Sequence, residues 1–139
     1  MRVFLDTNIL AAVLLEELNR SWHAARVLSF ASKPSYHLSA TAVSIAICFY
    51  LVGKKLGDAE AKRRIRHLVQ HIHIIPCDEK ETALALEHKA VHDLEDGLQY
   101  FAALNARCAA LITYNAADFY FSEIPVYSPD DFLYQLSQR

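Results

Sequence analysis

Apolar positions along the chain follow two different spacings. Val3-Phe4-Leu5 is a continuous apolar run, whereas apolar residues between Ile9 and Glu17 recur at intervals of three and four. The first pattern is typical of a buried strand and the second of an amphipathic helix. The sequence therefore predicts an opening strand, followed by a helix that Thr7 or Asn8 is able to cap.

The same alternation of apolar runs and helical spacings continues to the end of the chain. Further helices are predicted over Trp22 to Ala31, Ala40 to Lys55, from Gly57-Asp58 onward, Asp78 to His92, Leu94 to Arg107 and from Pro129. Further strands are predicted at 36–38, 72–75, 110–113 and 125–127. Strands that alternate with helices indicate an α/β fold with a parallel sheet covered on both faces.

Length and composition indicate one globular domain over residues 1–139. A chain of this length buries about 68–70% of its unfolded surface, enough for a core without cross-links. Hydrophobic residues make up 53% of the sequence, and there are only 3 Gly and 4 Pro. Three cysteines without CxxC spacing argue against a disulfide framework or a zinc ribbon, and favour a reducing cytoplasm.

Neither export nor membrane insertion is expected from the sequence. Met1-Arg2 leads directly into the first strand, without the basic and apolar segments of a secretory signal. Residues 34–53 carry no Asp, Glu, Lys or Arg, but their strongly apolar part covers only about Ala40 to Val52. That length suits a buried helix better than a membrane span, so we expect a cytoplasmic protein.

Charge is distributed unevenly, although the net charge is only -2. One segment is basic, and within it Lys62, Arg63, Arg64 and Arg66 form a run that could hold a phosphate backbone. A solvated helix face explains the same run equally well. These four residues are therefore candidates for RNA contact, with a purely structural alternative.

Acidic and amide residues are expected to gather at one edge of the predicted sheet. Asp6 follows the first strand, Asn115 and Asp118 follow the strand at 110–113, and Asp93, Glu95 and Asp96 begin the helix before that strand. In open parallel sheets, ligands bind outside the carboxyl ends of the strands. Several carboxylates are thus predicted to converge on one rim.

Such a cluster needs either protons or a cation. Two carboxylates about 4 Å apart repel by roughly 4 kcal/mol at an effective dielectric constant near 20. Oxygen ligands from Asp and Asn select Mg²⁺ or Mn²⁺, which can activate water for phosphodiester hydrolysis. Each acid also has a simpler explanation, since Asp93 with Asp96 resembles a helix cap, Asp118 a turn and Asp6 a cap.

Four segments in this order resemble the PIN-domain family of metal-dependent ribonucleases. They are VFLDTNILAAVL at 3–14, DLEDGLQYFAAL at 93–104, LITYNAADF at 111–119 and IPVYSPDDFL at 124–133. The resemblance implies a Rossmann-like three-layer α/β/α sandwich with a short, mostly parallel sheet. It also implies an acidic pocket for Mg²⁺ or Mn²⁺, cleavage of single-stranded RNA, a toxin neutralised by a small antitoxin protein, and a homodimer.

The resemblance also assigns roles to individual residues. By position, Asp6, Asp96 and Asp118 match the catalytic and metal-binding acids, and Asn115 completes the metal site directly or through water. Asp93 and Glu95 match flanking acids of secondary importance. Thr7 and Asn8 match polar residues that orient the first carboxylate.

The chain departs from the family pattern at one position. Family members usually carry an acid, most often Glu, soon after a Ser-Ala pair like Ser39-Ala40. The corresponding positions here are Ser44, Ile45, Ala46, Ile47 and Cys48. This departure supports an alternative function, a catalytically weak or inactive module that binds RNA or protein, unless Glu16 or Glu17 approaches the pocket.

Aromatic and histidine residues add candidates of lower priority. Trp22, Tyr50, Tyr100 and Phe101 could stack on bases, although aromatic residues at helical spacing more often belong to a core. Histidine pairs four residues apart, at 67 and 71 and at 88 and 92, lack a recognisable metal motif. His92 draws more interest than the others because it adjoins Asp93.

Overall fold

The computed structural model describes residues 1–17 and 21–139. Along this part of the chain, five strands alternate with seven α-helices: β1 Arg2–Leu5, α1 Thr7–Leu14, α2 Ser21–Leu28, β2 His37–Thr41, α3 Ala42–Leu56, α4 Asp58–Leu68, β3 His73–Ile75, α5 Glu79–Glu87, α6 Leu94–Asn105, β4 Ala110–Ile112, β5 Val126–Tyr127 and α7 Pro129–Ser137. Short 3₁₀ turns lie at Ser29–Ser32 and Ala116–Phe119. The predicted order of strands and helices is confirmed.

The strands form one parallel sheet in the order β3-β2-β1-β4-β5. β1 is central, with Phe4 beside Ser39 of β2 and Leu5 beside Ile112 of β4. The chain therefore winds in one direction from β1 to β3 and in the other from β4 to β5. Between β1 and β4 lies the switch point at which sheets of this kind bind ligands.

Helices cover both faces of the sheet, which confirms the α/β/α sandwich. On one face, Val3 and Leu5 pack with buried residues of α1, α2, α3, α4 and α7. On the other face, Phe4 and Leu111 pack with α5 and α6. Successive side chains of a strand point to opposite faces, so three consecutive apolar residues in β1 contribute to both cores.

Within the described residues, every helix is too short or too polar to cross a membrane.

One boundary near the site differs from the sequence prediction. The helix predicted from Ala40 begins at Ala42 instead, because β2 continues through Thr41. Ala40 and Thr41 are paired with Ile74 and Ile75 of β3, and Thr41 Oγ1 then accepts a hydrogen bond from Ser44 N, 3.2 Å away. A mainly apolar segment without charged residues does not distinguish a buried strand from a buried helix, so the sequence does not locate this boundary.

A second helix is shorter than predicted. α5 ends at Glu87, not at His92, and His88 has an extended conformation. The His88 Nδ1 atom accepts a hydrogen bond from Ala90 N at 3.2 Å, and the His88 carbonyl accepts one from Val91 N. Residues 88–92 therefore form a turned loop, which we call the α5–α6 loop.

Gly97 allows the α5–α6 loop to pack closely against α6. A Cβ atom at this position would lie 2.6 Å from Val91 Cγ1 and 3.0 Å from Ala85 Cβ. Because such distances are shorter than van der Waals contact, a side chain here would push the loop away from the helix. Because glycine has no side chain, the loop can lie directly against the start of α6, next to Asp96.

Candidate active site

An open cleft of about 390 Å³ lies at the carboxyl edge of the sheet. Its described lining contains all eight residues that the sequence predicted for the acidic site: Asp6, Thr7, Asn8, Asp93, Glu95, Asp96, Asn115 and Asp118. Ala11, Glu17, Ile47 and Leu51 complete the lining. Side chains from the start and the end of the sequence thus meet where β1 and β4 end.

Asp6 is the most firmly held carboxylate in the cleft. It is 5% exposed and caps α1, with Oδ1 accepting a hydrogen bond from Thr7 N at 2.8 Å. Its Oδ2 accepts a second bond from Thr113 Oγ1 at 2.8 Å, and its own backbone N–H donates to Ile112 O at 3.0 Å. The end of β4 and the start of α1 therefore fix this carboxylate together.

Asn8 extends the same support. Its Nδ2 donates to Thr113 Oγ1 at 3.2 Å, and its Oδ1 accepts from Tyr114 N at 3.2 Å. Through Thr113, Asn8 therefore acts on the orientation of Asp6. Thr113 itself was not singled out by the sequence, in which it is one more β-branched residue at the end of a strand.

Burial and mutual repulsion disfavour the charged forms of two cleft acids. Burial is the largest cause that raises the pKa of Asp6, to about 6, with smaller contributions from Glu95 and Asp118. Burial also raises the pKa of Asp96, to about 7, and the neighbouring Asp93 adds to the effect. Both carboxylates would be stabilised by a nearby positive charge.

Asp93 both caps a helix and lines the cleft. Its Oδ1 accepts a hydrogen bond from Asp96 N at 3.2 Å at the start of α6. The capping explanation is therefore correct for Asp93, and it also accounts for how Asp96 is directed into the cleft. Asp118 is exposed on the 3₁₀ turn at Ala116–Phe119, and Asn115 is exposed just before that turn.

A buried polar network lies beneath the acids. Thr7 Oγ1 is 3.0 Å from Glu95 Oε1 and also 3.0 Å from Ser44 Oγ. Gln99 Nε2 donates to Ser44 Oγ at 2.6 Å, and Gln99 Oε1 accepts from Thr41 Oγ1 at 3.0 Å. These bonds join α1, α3, α6 and the end of β2 under the cleft.

Sequence reasoning did not identify Ser44 and Gln99 as parts of the site. Gln99 lies four residues after Glu95 and three after Asp96, so it shares their helical face. A polar residue on the same helical face as the two acids was an available signal. Nothing in the sequence indicates that Ser44 belongs to the site, because a single serine in a helix does not show whether its side chain is buried.

The α3 side of the cleft is apolar, as the missing family acid suggested. Ile47 and Leu51 line it. An additional acid comes instead from the segment after α1, where Glu16 adopts a left-handed backbone conformation with φ 53° and Glu17 then lines the cleft. The sequence left open whether Glu16 or Glu17 approaches the pocket, and the structure places Glu17 there.

The predicted RNA-contacting run lies outside the cleft lining. Arg63 and Arg64 pair with Glu60 of the same helix, at 2.6 and 2.9 Å, and Arg64 Nη1 also donates to Leu14 O at 2.6 Å. Lys62 and Arg66 line a separate groove between α3 and α4. α4 thus separates the four cations onto two surfaces.

The cleft residues fit a hard divalent cation by their chemistry. In the described part of the chain, no three His, Cys, Asp or Glu side chains are already grouped closely enough to hold a metal ion. Mg²⁺, however, commonly retains several waters and binds through one or two carboxylates plus substrate phosphates. The described lining offers carboxylate, amide and hydroxyl oxygens, and contains no Lys, Arg or His.

Fold and site together define an α/β protein with a carboxylate-lined cleft at the switch point of a parallel sheet. A family model described as PIN domain matches residues 2–117. The chain belongs to the PIN domain family, which confirms the family that the four sequence segments resemble.

Known proteins are similar along most of the chain. Ribonuclease VapC1 of Aquifex aeolicus (strain VF5) is 27% identical over 135 residues, which cover 94% of this chain and 92% of that protein. The solved structure of VapBC-1 from nontypeable Haemophilus influenzae has a TM-score of 0.71 at 19% identity and covers 94% of this chain and 99% of its own. VapC20 of Mycobacterium tuberculosis, a toxin that cleaves the sarcin-ricin loop, has a TM-score of 0.63 at 16% identity, with coverage of 78% and 86%.

Proposed function

We propose that this protein is a metal-dependent endoribonuclease that hydrolyses single-stranded RNA, and that it is the toxin of a toxin-antitoxin pair. The observation that carries the proposal is the cleft itself, where Asp6 and Asp96 have raised pKa values and the described lining includes no basic side chain. The name of the Aquifex aeolicus relative, a ribonuclease, supports the same activity.

Each cleft residue has a role in this proposal. Asp6 and Asp96 would hold Mg²⁺ or Mn²⁺, with Asp118 and Asn115 completing the site directly or through water. Once bound, the cation supplies an activated water and neutralises charge on the phosphate. The Thr7 backbone N–H and the Thr113 hydroxyl orient Asp6, while Asp93 orients the first turn of α6 that carries Asp96.

Incubation of the purified protein with a panel of single-stranded RNAs tests the activity. We expect cleavage with Mn²⁺, no cleavage with EDTA, and strong loss of cleavage in the Asp96→Asn variant. Asp131→Asn is a matched control, because Asp131 is exposed in the first turn of α7, outside the cleft lining. Titration calorimetry with Mn²⁺ provides a readout that is independent of cleavage.

Two outcomes would count against the proposal in different ways. Cleavage that survives both EDTA and Asp96→Asn would reject the metal mechanism. Mn²⁺ and RNA binding without cleavage would favour the alternative of a catalytically weak binding module, for which the apolar Ile47 and Leu51 on α3 are the supporting observation.

The proposed partners need their own tests. A toxin requires a small antitoxin, so co-expression with the protein encoded beside it should yield a stable complex in which RNA cleavage is inhibited. The homodimer implied by family resemblance predicts twice the chain mass of 15.7 kDa in light scattering coupled to size-exclusion chromatography. A chain that stays monomeric at all concentrations would reject the homodimer alone.

A further inference from the structure

Two exposed aromatic side chains contact each other outside the lining of the acidic cleft, at positions close in the chain to its acids. Tyr120 is 59% exposed, and the centroid of its ring is 5.8 Å from that of the exposed His92, at an interplanar angle of 56°. His92 directly precedes Asp93, and Tyr120 is the second residue after Asp118. Both rings are therefore within two residues of carboxylates that line the cleft.

The fold holds these rings in place without burying them. The Tyr120 hydroxyl donates a hydrogen bond to the carbonyl of Ala90 in the α5–α6 loop. Phe121 meets the Tyr120 ring edge-on, with centroids 5.4 Å apart, and Gly97 keeps the same loop packed against α6. Tyr120 thus differs from Tyr100 and Phe101, which are buried in the core.

An acidic cleft needs an uncharged way to hold RNA. The carboxylates repel phosphates, so their contact with the backbone depends on the bound cation. Unpaired bases of single-stranded RNA stack on exposed aromatic side chains, and this interaction tolerates any base because each has a π-face.

We propose that Tyr120 and His92 form a base-stacking subsite, on which a nucleobase adjacent to the cleaved phosphate rests. The inference depends on the proposed ribonuclease function and goes beyond it by assigning a substrate-binding surface outside the acid set. Rings that are already positioned lose little side-chain entropy on binding, which favours their use as a recognition surface.

Cleavage kinetics with Mn²⁺ and an RNA oligonucleotide test the subsite. Tyr120→Ala should lower kcat/KM about tenfold, mainly through KM, because the substitution removes the ring on which one base stacks. Tyr120→Phe keeps the ring and should stay close to the wild type, and His92→Ala should show a smaller loss. Tyr134→Ala removes an aromatic residue of similar exposure from α7 and serves as the matched control.

Oligonucleotides that lack one base at a time provide the decisive comparison. In the wild type, one abasic position next to the cleaved bond should lower kcat/KM as much as Tyr120→Ala does. The same abasic position should have little further effect in Tyr120→Ala, since the base and the ring act as one pair.

The possible failures are distinguishable. Cleavage by the wild type with equal abasic effects in both proteins would overturn the stacking subsite and leave the ribonuclease proposal intact. Absence of cleavage by the wild type would overturn both. Unfolding temperatures of the variants, compared with that of Tyr134→Ala, identify any loss that comes from misfolding.

Discussion

The surroundings of the acidic side chains shift their pKa values in opposite directions in the cleft and on helix α4. On α4, Glu60 pairs with Arg63 and Arg64, and hydrogen bonds from these two arginines lower the pKa of Glu60 to about 2. In the cleft, burial and neighbouring acids raise the pKa of Asp6 to about 6 and that of Asp96 to about 7. On α4, part of the charge is neutralised within the helix, whereas the described lining of the cleft contains no basic side chain that could neutralise its acids.

In a chain with little net charge, this difference indicates which charged residues to test for a function. The basic run is conspicuous in the sequence, yet half of it already has a partner within α4. The acids are far apart in the sequence and become a site only after folding. A group whose charged form is destabilised by its surroundings is a better guide to a ligand than a local excess of charge.

Replacement of cleft acids should produce the largest effects. We expect Asp6→Asn to lower Mn²⁺-dependent RNA cleavage by about 10²–10³-fold, because a lost ligand removes several kcal/mol of charge stabilisation. Asp118→Asn should lower the cleavage rate less, since Asp118 is exposed and takes no part in the hydrogen bonds that hold Asp6. Initial rates at saturating Mn²⁺ measure the ranking.

Asparagine is a suitable replacement because it caps helices as well as aspartate does, so α1 should still form. Equal activity of Asp6→Asn and the wild type would contradict this interpretation of the cleft, because the charge of Asp6 would then not be needed to bind a cation.

The metal-free protein should lose stability as pH rises. Since folding raises the pKa of Asp6 from 3.8 to about 6, the folded state retains a proton there that the unfolded state has released. The free energy of unfolding should therefore fall between about pH 4 and pH 6, by about 3 kcal/mol from Asp6. Asp96 should extend the decline to about pH 7.

Urea denaturation in EDTA at a series of pH values measures this slope. Asp6→Asn cannot titrate at that position and should be less sensitive to pH than the wild type. Added Mn²⁺ near pH 7.5 should raise the stability of the wild type more than that of the variant. Parallel curves for the two proteins in EDTA would contradict the assigned cause.

An acid introduced on α3 should sharpen the comparison. Ile47→Glu places a carboxylate on the apolar wall of the cleft, and we expect about tenfold tighter Mn²⁺ binding from the added attraction. Ile45→Glu is the control, because Ile45 lines the groove between α3 and α4. Calorimetric titration would contradict the prediction if both variants bound Mn²⁺ with the same affinity.

Removal of a charge from α4 should have the smallest effect. Arg63→Ala leaves Glu60 paired with Arg64, so we expect a stability loss near the limit of detection that disappears at high salt. Urea midpoints at low and high salt measure it. A large loss that does not depend on salt would show that the exposed pair does more than neutralise the helix.

RNA contact by Lys62, Arg63, Arg64 and Arg66 stays a prediction from the sequence. If these residues hold phosphates, their loss should weaken RNA binding and reduce its dependence on salt concentration. Comparison of Lys62→Ala and Arg66→Ala with Tyr120→Ala would show whether RNA lies along α4 or beside the α5–α6 loop.

The sequence predicted the fold well because its periodic signals are strong. Continuous apolar runs and apolar residues at helical spacing predicted the order of the described strands and helices, and the rule that ligands bind at carboxyl ends predicted the site edge. The errors lie at boundaries. Thr41 continues a strand because it pairs with Ile75 of β3, which is a tertiary contact. α5 ends at Glu87, and the His88 ring then accepts a local hydrogen bond from Ala90 N, which the apolar spacing of the helix does not reveal.

The sequence predicted the acids of the cleft and, beside Asp6, the polar residues Thr7 and Asn8. It did not predict the buried residues beneath them. Asp6, Asp96 and Asp118 stand in recognisable segments next to strands and helix starts. Ser44 reaches the site through the packing of α3. Glu17 reaches the cleft through the left-handed backbone conformation at Glu16. Neither position follows from a local pattern in the sequence. Ser44 is identified only when its buried hydrogen-bond partners are known, whereas the spacing of Gln99 already places it on the helical face of Glu95 and Asp96.

The sheet ends on both sides in very short strands, β3 with three residues and β5 with two. An exposed edge strand is a template onto which another polypeptide can add in register, as in domain swapping and amyloid formation. Edges this short provide few free backbone groups for such addition. The proposed association with an antitoxin or a second copy would therefore depend little on backbone pairing at these edges.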